Sequence, residues 1–185
     1  MAKDNDRYAF AQRLLHWLVA ILVLGALAGG ALLWAYGFEG LKADFGIEAT
    51  NAIYKYHKTA GILVLGLMLI RLALRLLLGA PPPPATLSPT LAAAARATHL
   101  AFYGLLIAMP VLGWAATAAG GFPVQFFDLT MPGIIGENKG LSETLFKLHG
   151  AVGLAIAALA LLHIAAAMRH WLVLKDGVMN RIALP

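Results

Sequence analysis

Residues 145–171 read LFKLHGAVGLAIAALALLHIAAAMRHW, a single apolar run that carries three histidines, His149, His163 and His170. The run is long enough to cross a bilayer as one helix, and an imidazole inside lipid needs a partner or a task. His149 and His163 are fourteen residues apart. At 3.6 residues per turn that is close to four turns, so they leave the helix from nearly the same face, roughly 21 Å apart along the axis. Against a hydrocarbon core about 30 Å thick, one imidazole lies near each side. The spacing points to two cofactor sites stacked across a membrane rather than one metal site shared by both rings.

The whole chain agrees with a membrane setting. Its 185 residues are 61% hydrophobic and 12% charged, with a mean hydropathy of +0.77, whereas soluble domains carry about twice that charged share. Cysteine is absent, which excludes disulfides, thiolate catalysis, zinc-thiolate sites, cysteine-held iron–sulfur clusters and covalent c-type haem attachment. Any metal must rest on histidine. The net charge of +5 sits on residues that flank apolar runs, so it fits a membrane surface and not nucleic acid.

Outward from the last run, the pattern predicts an all-α, integral membrane four-helix bundle forming one domain over residues 1–185, with helices at about 11–36, 51–78, 91–119 and 142–172. The first run starts too late to need reading as a removable signal peptide. A polar, glycine-punctuated connector covers 38–50. Four prolines at 81–84 end the second helix and give a semi-rigid linker. In the third helix Pro110 predicts a kink, and Gly104 and Gly113 allow a neighbour to approach. The loop 120–141 carries FPVQFFDL and MPG and folds over the bundle's end, and Ser142 with Glu143 marks the start of the fourth helix.

With four spans both termini share a side. Lys3, Arg7, Arg13, Arg71, Arg75, Arg96, Arg169, Lys175 and Arg181 then fall together, nine of the fourteen basic residues, while six of the nine acids fall on the other side. The positive-inside rule places that basic side, and both termini, in the cytoplasm. Depth then pairs the histidines: His16 with His163 in an inner layer, His57 with His149 in an outer one. An imidazole pair from facing helices, with no acid or sulfur ligand nearby, matches bis-imidazole haem held in a bundle. Gly61 and Gly153 each follow a histidine by four residues, where a flat macrocycle needs bare backbone. One intramembrane histidine alone also fits a cross-helix hydrogen bond, and zinc would find only half of its tetrahedral shell in either layer.

Several stretches carry a family resemblance: LLHWL at 14–18, YHKTAGILVLGLMLIRLALRLL at 56–77, ARATHLAFYGLLIAMPVLGW at 95–114, KLHGAVG at 147–153 and LLHIAAAMRHWLVLKD at 161–176. Over nearly its whole length the chain resembles the bacterial cytochrome b561 family. The resemblance implies a multi-pass cytochrome of the bacterial inner membrane, with two haem b groups, that exchanges electrons with quinone. Some bacterial members oxidise superoxide at the outer face and pass the electrons to ubiquinone.

The remaining polar residues find roles in that frame. His99 and His170 lie at the cytoplasmic interface and are candidates for a quinone site, since imidazole can bond a carbonyl oxygen and supply a proton; Arg96 and Arg169 would assist there or reach lipid phosphates. Lys55, Lys58 and Lys147 surround the outer ligands. They have two readings, pairing with haem propionates, for which Arg13, Arg71 and Arg75 are the inner counterparts, or steering an anion such as superoxide. As an enzyme the chain would couple superoxide oxidation to ubiquinone reduction. As a carrier it would be the cytochrome subunit serving a separate dehydrogenase or a periplasmic redox protein. A proton-coupled transporter would need intramembrane carboxylates, which the runs lack.

Overall fold

The computed structural model describes residues 6–84 and 87–184; Lys3, used above for orientation, lies outside the described residues, as do residues 85 and 86 of the proline-rich connector. In chain order the elements are α1 (Phe10–Leu78), α2 (Pro89–Ala119), strands β1 (Val124–Phe126) and β2 (Leu129–Met131), α3 (Lys139–Met168), a π-helical turn (Arg169–Leu174) and a 3-10 turn (Met179–Arg181). Among the described residues three helices are long and apolar enough to cross a membrane: Phe10–Leu78, Pro89–Ala119 and Lys139–Leu174.

The first helix departs from the expected pair of helices joined by a polar loop. Its 69 residues would span about 100 Å if straight, yet Gln12 Nε2 donates to Leu74 O and Gly79 O at 3.4 and 3.0 Å. Two glycines bring the ends together: Gly37 has φ 61° and ψ −176°, and Gly46 has φ 80° and ψ 165°, a region that is essentially closed to residues with a Cβ. Residues 10–36 and 47–78 therefore run back along each other. The stretch between the two glycines stays helical because FEGLKADF is rich in helix formers, with a Lys42–Glu39 pair at 3.6 Å and Leu41 fully buried.

Caps set the other helix starts. Ser88 precedes Pro89 and accepts from Leu91 N–H, and α2 continues through Pro110. Helix α3 begins three residues before the expected start, because Asn138, with extended backbone, accepts from Leu141 N–H at 3.0 Å. Ser142 is buried inside the helix and its hydroxyl donates across to Ala116 O at 2.8 Å.

A purely helical reading also needs correction in the loop, where β1 and β2 pair antiparallel with Gln125 opposite Thr130. Phe127 turns the hairpin at φ 52°, and its N–H donates to Thr59 Oγ1 at 2.9 Å. Lys55 pairs with Asp128 at 2.5 Å and Lys58 donates to Pro123 O at 2.8 Å, so the hairpin is tied at three points to the head of the second arm of α1.

At the opposite end the C-terminal segment folds over the start of α1. Tyr8 N–H donates to Arg181 O at 3.1 Å, Arg13 Nη1 to Ala183 O at 2.7 Å and Trp17 Nε1 to Ile182 O at 3.0 Å. Between these ends the buried core is Val19, Val64, Met68, Leu106 and Ile156, one layer from both arms of α1, α2 and α3. Outward-facing Leu76, Leu77, Leu100, Leu161 and Leu162 are exposed, a surface suited to lipid.

Candidate functional site

Helix α3 passes both ends of the core and presents one histidine at each. At the hairpin end the His149 ring lies 6.1 Å from that of His57, with planes crossed at 81°. At the terminal end His163 lies 6.3 Å from His16, with planes at 75°. The crossing angles mean that the rings meet edge-on and are not stacked. With a metal–nitrogen bond of about 2 Å and about 1.1 Å from nitrogen to ring centre, imidazoles on opposite sides of one metal have centres roughly 6 Å apart. Both separations accommodate a shared metal. Among the described residues no three His, Cys, Asp or Glu side chains converge as a metal shell, so the arrangement offers pairs, the donor set of a bis-imidazole haem.

The surroundings fit that group at the hairpin end. His149 Nδ1–H donates to Met109 O at 3.1 Å, the orientation that leaves Nε2 for a metal; His57 Nδ1 is buried and has no hydrogen-bond partner among the described residues. The two rings border a cavity of about 60 Å³, otherwise lined by apolar side chains and backbone, including Val23, Leu27, Gly61, Leu106 and Pro110. Met109 lines it too, so a sulfur does stand near this pair, contrary to the sequence reading. Bare backbone crowds the rings from elsewhere than expected: a Cβ on Gly113 would lie 2.9 Å from His149 Cε1, and one on Gly30 3.2 Å from His57 Cε1. Gly61 and Gly153 face Pro110 and Met109 instead, and Gly104 faces open space. Gly113 is the close approach expected of it in the third helix, with His149 as the neighbour, whereas Gly30 was missed because it lies on a different helical segment from the ring it crowds.

The terminal end holds a third imidazole. His99 lies 5.8 Å from His163, and Phe102 packs 5.4 Å from the same ring. Arg71 Nη2 donates towards His16 Nδ1 at 3.3 Å and its Nη1 to Gln12 O. In a neutral ring that bond puts the proton on Nε2, so metal ligation through Nε2 requires Arg71 to swing off Nδ1. Arg13 is buried with its Nε unpartnered, and Arg75 Nη1 donates to Gly79 O; no ion pair reaches Arg13, Arg71 or Arg75 among the described residues. Arg96 bonds within its own helix, to Ala92 O.

Other candidates are dispersed. No ring contact or hydrogen bond joins His99 to His170 among the described residues; His170 instead donates Nδ1–H to Asp176 Oδ2 at 2.6 Å. Of the three lysines, Lys55 and Lys58 hold the hairpin, while Lys147 makes no ion pair among the described residues. Burial works to raise the Asp176 carboxyl, but hydrogen bonds from His170 and Val178 outweigh it and hold the group below the usual carboxylate range.

Long apolar helices that gather half-buried imidazoles in pairs, with no shell of three or more metal-ligating side chains among the described residues, mark a membrane protein suited to hold haem. The chain matches the prokaryotic cytochrome b561 family over residues 7–183 and belongs to it; it is a membrane electron-transfer cytochrome of the haem b class. It is similar to cytochrome b561 homolog 2 of Escherichia coli K12, 29% identical over 96% of this chain and 91% of that one. It is also similar to the probable superoxide oxidase CybB of Yersinia pestis, 30% identical over 96% of each, and to cytochrome b562 of Cereibacter sphaeroides, 28% identical over 96% of each.

Proposed function

We propose that this cytochrome carries two haem b groups, one between His57 and His149 and one between His16 and His163, and moves electrons between a one-electron donor at the hairpin end and ubiquinone at the terminal end. The observation that carries the reading is that α3 faces a partner imidazole at each end of a single core. Four spans in the bacterial inner membrane, termini cytoplasmic, go with it. The fold-back at Gly37 and Gly46 supports the span count and the charge asymmetry supports the orientation.

Haem supplies reversible one-electron storage when bound. The chain's own residues do the rest. The Met109 carbonyl orients His149; Val64, Leu106 and Ile156 keep water from the space between the layers; Arg13, Arg71 and Arg75 offer the positive charge that anionic haem edges need at the terminal end. His99 and His170 stand at the end where quinone would take up protons.

On this reading the outer donor is superoxide, the substrate that the name of the Yersinia relative implies. The carrier reading, in which a dehydrogenase or periplasmic redox protein is the donor, draws support from Lys55 and Lys58, whose engagement with the hairpin leaves Lys147 as the freer outer cation.

The test is a redox titration of His149→Ala and His163→Ala. Each variant is expected to lose a different haem component while retaining the other. Loss of the same component from both would sink the layered assignment.

A further inference from the structure

His170 and Asp176 form a carboxylate–imidazole pair, and the reading above gives His170 a place at the quinone end but Asp176 no role. Nδ1 and Oδ2 are 2.6 Å apart, and the two side chains keep only 17% and 13% of their surface exposed. The pair does not come from neighbouring turns of a regular helix. After the π turn of Arg169–Leu174, Lys175 takes φ 49°, a conformation disfavoured for a residue with a Cβ, and the chain bends so that Asp176 meets His170. The other carboxylate oxygen accepts from Val178 N–H at 3.2 Å, so both oxygens are held. The segment that follows runs on to Trp17, whose indole bonds Ile182 O and whose ring lies 5.4 Å from His16. One short stretch thus connects the dyad to the flank of the terminal-end imidazoles.

An ionised carboxylate only accepts hydrogen bonds. Holding Nδ1–H, it selects one tautomer of the neutral ring and leaves Nε2 as the nitrogen that can exchange a proton. We propose that Asp176 is a positioning residue for proton transfer to quinone, fixing His170 so that Nε2 serves the substrate oxygen; this rests on the quinone reading above. The reaction balances simply. Quinone takes two electrons and two protons to become quinol, the electrons arriving singly from reduced haem. One proton leaves Nε2 of the doubly protonated ring as an O–H bond forms, and the ring stays on Asp176 as the neutral Nδ1–H tautomer. Water on the cytoplasmic side supplies the second proton and restores the ring.

The experiment uses the purified, haem-loaded protein, chemically reduced, with haem oxidation followed by absorbance after mixing with a short-chain ubiquinone or, separately, with ferricyanide. Asp176→Asn is expected to lower the maximal rate with ubiquinone about tenfold or more while KM stays within about twofold. Asp176→Glu should recover most of that rate, and ferricyanide oxidation should be alike in all three proteins. The wild-type ubiquinone step should slow by about twofold or more in heavy water. An Asp176→Asn protein at full rate, or an Asp176→Glu protein as slow as it, overturns the positioning role. Should Asp176→Asn fail to fold with haem, the heavy-water measurement still decides: no isotope effect on the wild-type step overturns it. A wild type oxidised by ferricyanide but not by ubiquinone overturns the quinone reading itself, and this inference with it.

Discussion

His149 donates Nδ1–H to Met109 O while its Cε1 sits where a Cβ on Gly113 would come within 2.9 Å, so its ring is held at two points, one turn apart, on a single face of α2. Gly113→Ala should therefore displace the ring and remove or shift the haem component that His149→Ala removes. Gly104→Ala, which meets open space, should leave both components unchanged, and equal effects from the two would contradict the crowding argument. The lysines separate in the same way. Lys147→Gln should slow haem reduction by superoxide roughly threefold at low ionic strength and flatten its salt dependence, whereas Lys55→Gln, whose charge Asp128 already offsets, should change the salt dependence less. An identical response would show that pairing does not matter, and no response from either would favour the carrier reading. The histidine spacing along α3 was readable because both residues lie on one helix with a fixed rise. The partners of Lys55 and Lys58 were not, because Asp128 and Pro123 are more than sixty residues away and only the hairpin's docking brings them in.

Along the elements, breaks and caps decide where helices begin and end. Gly46→Ala should destabilise the protein by about 1–3 kcal/mol, the usual cost of forcing a Cβ into such a backbone conformation, read as a lower melting temperature of the haem-loaded protein. Gly25→Ala, inside a regular stretch with nothing within 4 Å, should be neutral or stabilising by up to about 1 kcal/mol. The opposite order would mean that the fold-back of α1 does not depend on the glycine. Hydrophobic runs announced the apolar stretches well, since burial in lipid demands length and continuity. They announced the connectors poorly. Glycine reads as a loop breaker, yet Gly37 and Gly46 turn the chain and leave helix between them. Ser142 has the chemistry of a cap but is buried across from Ala116, and Asn138 caps instead. The hairpin was hidden because a three-residue strand carries too few alternations to register as a pattern.

At the scale of the molecule, membership of the prokaryotic cytochrome b561 family joins apolar helices to haem chemistry, and the two imidazole pairs divide the core into a hairpin end and a terminal end. The ends differ in what surrounds them: a docked hairpin and Lys147 at one, and arginines, His99 and the His170–Asp176 pair at the other. A cytochrome that takes electrons at one end and delivers them at the other needs two carriers in series, because one haem cannot approach both surfaces of a core about 30 Å thick. The most direct test is the haem-to-protein ratio of the purified, intact chain, by pyridine haemochrome assay against amino-acid analysis. Two haem b per chain is the result the account predicts; one haem or none would contradict it.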